Sequence, residues 1–260
     1  MLHVAVKLLT LVVALAVTAN AAAQGPWHYQ NKAYLPPGTI GQRQLQRGGP
    51  LPGYFQPVEV TAPAGSLVSI VGDGDFSEPR PTKLMAGMLI GQVYRLKVSN
   101  LPGREGQEIF PTIEVIDRLY PPPGQAARFP IPIVLTDEEI DYALDGRYVL
   151  RVIYIEEPRT ALPIAEVPEQ QRFTEIAPGH DAMEAADQLG RPVAILRMGS
   201  RVPMPDEDQS RFLYQHPPVL PLEVPPPPTR GSGLEDPLPA PPRLGRPSAN
   251  FLRLPESKLR

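Results

Sequence analysis

Fifteen of the chain's 36 prolines lie beyond Val202, and this crowding limits the possible folds more than any other feature. Proline locks φ and removes a backbone donor, so it breaks helix interiors and central strands. A mostly helical protein is therefore not expected, and the chain divides into stretches that can build a core and stretches that cannot. With 42% hydrophobic and 20% charged residues in a chain of 260, the folding part is large enough for a sizeable core. Four regions follow from composition: 1–23, 24–53, 54–202 and 203–260.

Region 1–23 has the secretory signal pattern. One lysine, Lys7, precedes an apolar stretch from Leu8 to Val17, and small residues from Ala19 to Ala23 offer a cleavage site. The expected mature chain starts at Gln24 or Ala22. The apolar stretch is short of the ~20 residues a spanning helix needs. The expected address is periplasmic or extracellular, with membrane contact only through this segment before cleavage. Cysteine is absent, so disulfides, thiolate catalysis, cysteine-ligated metals and a lipidated N-terminal cysteine are excluded. A net charge of −3 gives no footprint for nucleic acid.

Region 24–53 is rich in proline and glycine, shows no period of 2 or 3.6, and reads as an extended linker. Trp27, Tyr29 and Tyr34 stand in it, and one or more of them is expected to dock onto the body. Region 203–260, with Pro225 to Pro228 at its centre, is expected to be a disordered proline-rich tail. Its apolar surface is too sparse to offset the entropy of ordering. Its P-x-x-P matches at Pro218–Pro221 and Pro239–Pro242 fit a spacer.

Region 54–202 reads as the folded body. Tyr54 to Thr61 and Ser66 to Val71 are short β-like runs parted by Pro63-Ala64-Gly65. In Val93 to Val98, Tyr94, Leu96 and Val98 alternate with Arg95 and Lys97, which predicts a half-buried strand. The turn residues from Asn100 to Gly106 predict a hairpin with the next strand, which Pro111 forces to begin at an edge or bulge. Thr136-Asp137-Glu138-Glu139 predicts a capping box and a two-turn helix, and Asp181 to Leu189 a second short helix. Arg147 to Glu156 is apolar on both faces, which predicts a central strand covered on both sides. The pattern predicts a mainly β fold: an antiparallel β-sandwich of immunoglobulin-like architecture with two short helices. The rival is an α+β fold with both helices on one sheet face.

No local motif for catalysis occurs. His28 lies in the linker region, His180 opens a helix and His216 lies in the tail, with none of the zincin, serine-hydrolase or nucleotide-binding patterns around them. His180 is read as a helix-cap neighbour. Val71-Gly72-Asp73-Gly74-Asp75 places two carboxylates, Asp73 and Asp75, where they could share calcium. It lacks a third acidic position and a distal glutamate, so a tight β-turn is favoured over a metal site. Glu114 and Asp117 are three residues apart and so face opposite sides of a regular strand. No catalytic residue, cofactor or firm metal site is assigned.

Tyr94 to Pro102, Pro111 to Leu119, Phe129-Pro130-Ile131-Pro132-Ile133 and Arg191 to Arg197 resemble an uncharacterised family of exported bacterial proteins. That resemblance covers about 90–200 and implies export without implying a mechanism. The function expected from all of this is a non-catalytic cell-envelope protein. Its sandwich would bind another envelope protein or a polysaccharide. The alternative is an exported hydrolase with scattered active-site residues.

Overall fold

The computed structural model describes residues 32–159, 161, 173–177, 179–204, 206 and 208–223. The expected signal peptide, Trp27, Tyr29, His28 and the P-x-x-P at Pro239–Pro242 lie outside them. Among the described residues eleven strands occur: β1 (Phe55–Thr61), β2 (Leu67–Gly72), β3 (Asp75–Phe76), β4 (Arg80–Pro81), β5 (Lys83–Leu89), β6 (Val93–Ser99), β7 (Thr112–Val115), β8 (Ile131–Val134), β9 (Val149–Glu156), β10 (Gly190–Met198) and β11 (Val219–Pro221). One sheet has the order β11-β5-β1-β8, and the other β3-β2-β6-β7-β10-β9, with β4 beside β2. Pairing is antiparallel except between β1 and β8. A single cluster joins Val58 and Val60 of β1 and Met88 of β5 to Tyr94, Leu96 and Ile113 of the other sheet. The core therefore lies between two sheets, and the fold is the expected mainly β sandwich.

The alternation in β6 forms: Tyr94, Leu96 and Val98 enter the core, and Arg95 and Lys97 take the opposite face. The strand is not half-buried as expected, because Phe212 covers Arg95 and leaves it 5% exposed. The hairpin to β7 forms, and Pro111 interrupts the ladder between the Val98–Ile109 bridge and Thr112. The capping box also forms, opening α2 (Asp137–Leu144): Glu139 N donates to Thr136 Oγ1 at 3.2 Å, and Glu139 Oε2 accepts from Thr136 N at 3.1 Å. Asp181 caps α3 (Ala182–Leu189), accepting from Met183 N at 2.9 Å.

Three further expectations are corrected. Region 24–53 is not an extended linker throughout, because Thr39–Gln46 forms a helix, α1, and Ile40 is fully buried. Tyr34 does not dock and is 77% exposed; Ala33, with Ile40 and Ile116, packs in its place. The start of α1 has no side-chain cap of its own. Glu114 supplies one from β7, accepting from Gly41 N at 2.9 Å, which satisfies an orphan donor of the first turn. Gly41 is required by proximity, since a Cβ there would fall 2.6 Å from the Cα of Gly91.

The second correction concerns the tail. Residues 208–221 pack on the sandwich, so Val202 is not the end of the fold. Gln209–Phe212 forms a helical turn, α4, and Phe212 and Leu213 are buried with Val71 and Phe110. The Arg95 guanidinium lies over the Phe212 ring and donates to the carbonyls of Phe212 at 3.2 Å and Phe110 at 2.9 Å. The chain then runs to the other sheet, where β11 pairs with β5 and the Tyr94 hydroxyl donates to Pro218 O at 2.8 Å. Burial pushes the Tyr94 phenol up to about 12.

The third correction is the position of β9. It pairs only with β10 among the described strands and is the terminal strand of its sheet, not a central one. Its two apolar faces have separate causes. Val149 and Ile153 face the inter-sheet core, and Leu150 and Val152 face α3 with Met183. A strand packed on each face by a different layer carries the same two-sided pattern as a central strand, although of the β9 residues only Ile153 is buried.

Candidate functional site

At one side of the sandwich the terminal strands β8 and β9 come together, and α2 closes one end of the gap. Arg151 bridges the two sheets. Its guanidinium donates to Val134 O of β8 at 2.8 Å and to the Glu139 carboxylate of α2 at 3.0 and 3.1 Å. Both side chains are largely buried, at 12% and 15% exposure. Burial pulls the Arg151 guanidinium below its usual value, and the Glu139 charge opposes that shift. Glu139 thus serves the capping box and the ion pair at once.

Beyond this staple a groove of about 1520 Å3 opens, lined by every residue of β9. On one side it is walled by Ile131, Pro132 and Val134 of β8 and by Tyr142 of α2; Phe173 and Ile176, and Ala185 and Leu189 of α3, also line it. Three large apolar side chains on it stand in solvent: Ile155 at 38%, Phe173 at 59% and Leu189 at 41% exposure. Its lining carries three carboxylates, Glu139, Glu156 and Glu175, against the single guanidinium of Arg151. An arrangement of this kind can hold an apolar, extended ligand; with Glu139 paired to Arg151, Glu156 and Glu175 are the lining carboxylates that favour positive charge. A smaller cavity of about 320 Å3 lies elsewhere, over Phe76, Phe110 and Phe212, with the Lys97–Glu108 ion pair (2.7 Å) in its wall.

The residues singled out in the sequence lie apart from the groove. Asp73 and Gly74 form the two-residue turn between β2 and β3, with φ of 45° and 93°. Both positive angles are what a tight hairpin of this hand needs, and Asp-Gly supplies them. Asp75 Oδ1 accepts from Phe76 N at 2.7 Å. Among the described residues no group of three or more His, Cys, Asp or Glu could hold a metal ion. His180 is exposed just before the Asp181 cap, and the Asp181 carboxylate is occupied by α3 and by Ala33 N at 3.0 Å. Glu114 pairs with Arg197, and Asp117 pairs with Arg191, so each carboxylate has its own cation.

Sequence reasoning missed Arg151 as the inter-sheet staple and β9 as an edge. The apolar run at 148–155 was visible, but its place in the sheet is set by β10, some forty positions later in the chain. Compared with protein-family models, curated proteins and solved structures, the chain matches none of them.

Proposed function

We propose that this chain is a non-catalytic binding module of the bacterial cell envelope, exported through the signal read at 1–23, and that it binds another envelope protein. The observation that carries this reading is the β9 edge with its apolar groove. Ile155, Phe173 and Leu189 are large apolar side chains left in solvent around one concave feature. Exposed apolar surface of that kind marks an interaction site. A protein ligand fits the groove better than a polysaccharide, because the walls are aliphatic as well as aromatic and offer few neutral polar side chains to hydroxyl groups.

The test is to produce the full chain with a photo-crosslinking residue at Ile155 or, as a control, at Asp73 in the β2–β3 turn. The cells are fractionated after irradiation. A discrete envelope-protein adduct from Ile155 and none from Asp73 is expected. A cytoplasmic, uncleaved chain would overturn the export reading. Equal labelling at both positions, or retention on cell-surface polysaccharide without a protein adduct, would overturn the binding reading.

A further inference from the structure

We propose that β9 receives an extended, cationic peptide segment of a partner protein as the next strand of its sheet; this rests on the binding-module reading and specifies the partner's chemistry. The backbone supplies the first reason. Among the described residues β9 pairs only with β10, so one edge from Val149 to Ile155 has no strand beside it. Unpaired N–H and C=O groups along an edge are a template for an added strand. At ~3.3 Å per residue the edge is about 23 Å long, which suits a segment of six to eight residues.

The side chains supply the second. Successive residues of an added strand point to opposite faces. The groove runs along all of β9, so both sets meet apolar walls: β8 and Tyr142 around one, Leu189 and Ala185 of α3 around the other. Natural proteins blunt exposed edges with charge or proline. Between Val149 and Ile155 the only charged residue is Arg151, and it is buried against Glu139. An edge left this apolar suits an occupant.

Charge supplies the third and selects that occupant. Glu156 and Glu175 add carboxylates to the lining, and the neighbouring first turn of α2 carries Asp137, Glu138 and Glu139. Glu139 is paired with Arg151 and Asp137 with Arg104, and Arg147 stacks on Tyr142, so five carboxylates stand against three guanidinium groups. Lysine or arginine flanking an apolar core complements this field. A second copy of the chain would set the same acidic lining against itself, since a two-fold interface repeats one patch on both sides.

The experiment uses the full mature chain and a fluorescent peptide in which alternating valines and threonines are flanked by lysines. Anisotropy reads affinity, and hydrogen exchange reads the β9 amides. Micromolar binding with slowed exchange in β9 is expected. Replacing the central residue of the peptide by proline, or the lysines by glutamates, is expected to weaken binding at least about tenfold. Ile155→Asp and Glu175→Lys change exposed positions and are expected to do the same while the melting temperature holds. Equal binding of the proline peptide, or unchanged β9 exchange, would overturn strand addition. A dimer of the free chain that Ile155→Asp dissociates would assign the edge to a second copy and overturn the partner proposed. If the peptide fails while crosslinking from Ile155 still captures an envelope protein, strand addition falls and the binding module stands. If both fail, both fall.

Discussion

The Glu114 carboxylate and the Arg197 guanidinium lie 2.9 Å apart on the adjacent strands β7 and β10, at 0% and 3% side-chain exposure. The other Glu114 oxygen holds Gly41 N of α1 at 2.9 Å, and Arg197 also donates to Leu35 O at 3.4 Å. The ion pair therefore lies on the outer face of its sheet and is sealed there by the N-terminal segment. A buried pair with its remaining lone pairs satisfied in this way is costly to break from one side.

Glu114→Ala strands the Arg197 charge and removes the cap of α1. The expected loss is about 3–5 kcal/mol, which lowers the melting temperature by roughly 10 °C. Trypsin should also reach Arg43 and Arg47 well below that melt, because α1 is released first. A variant that melts like the wild type with both arginines protected would show that the pair does not hold the helix.

Ending the chain at Val202 removes Phe212, Leu213 and β11. Two buried apolar side chains are worth about 1.5–3 kcal/mol each, so a melting temperature lower by about 10 °C is expected when 24–202 is compared with 24–225. Phe212→Ala in the longer chain should reproduce much of that loss. Superimposable melts of the two chains would restore Val202 as the boundary.

Features determined by neighbours in sequence were legible. The alternation of β6, the Thr136/Glu139 capping box, the Asp181 cap and the Asp73-Gly74 turn each rest on contacts within a few residues. Features fixed from a distance were not. The cap of α1 comes from a residue 73 positions away, and Gly38 and Gly41 suppress any local helical signal. Phe212 reads as an isolated aromatic among prolines until Arg95, 117 positions earlier, is placed beneath it. The groove belongs to this second kind. Its lining comes from β8, α2, β9 and α3, so it exists only once the edges of two sheets meet.

Asp187 of α3 should make stability pH-dependent. Its side chain faces inward, one carboxylate oxygen has no hydrogen-bond partner, and burial pushes its pKa from 3.8 up to about 7. Between those values the folded state holds a proton that the unfolded state has released. Stability is therefore lost as pH rises from about 4 to about 7. Asp187→Asn keeps the shape without the charge, so it should flatten this dependence and stabilise at pH 8 by on the order of 1–2 kcal/mol. Denaturant melts at pH 5 and pH 8 on both chains decide it. A wild type as stable at pH 8 as at pH 5 would refute this role.

Three consecutive residues without glycine's freedom, Tyr214, Gln215 and His216, hold left-handed angles, with φ of 54°, 60° and 54°. For L-residues that conformation costs roughly 1–2 kcal/mol each, and it reverses the chain between Phe212 and the β11 strand. Gln215 is exposed, and its backbone N–H donates to Ser210 O at 2.8 Å, so its side chain is not what holds the turn. Gln215→Gly removes the steric penalty and keeps the hydrogen bond, although a freer unfolded chain offsets part of the gain. A net stabilisation of about 0.5–1 kcal/mol is expected, read as a rise of ~1–4 °C in the melt. Gln215→Val, β-branched at a positive φ, should move the melt the other way. Because the turn also sets Pro218 O against the Tyr94 hydroxyl, the Val variant should expose Arg211 to trypsin as the C-terminal strap loosens. A glycine variant less stable than the wild type would show that the turn is not strained and that Gln215 contributes through its side chain.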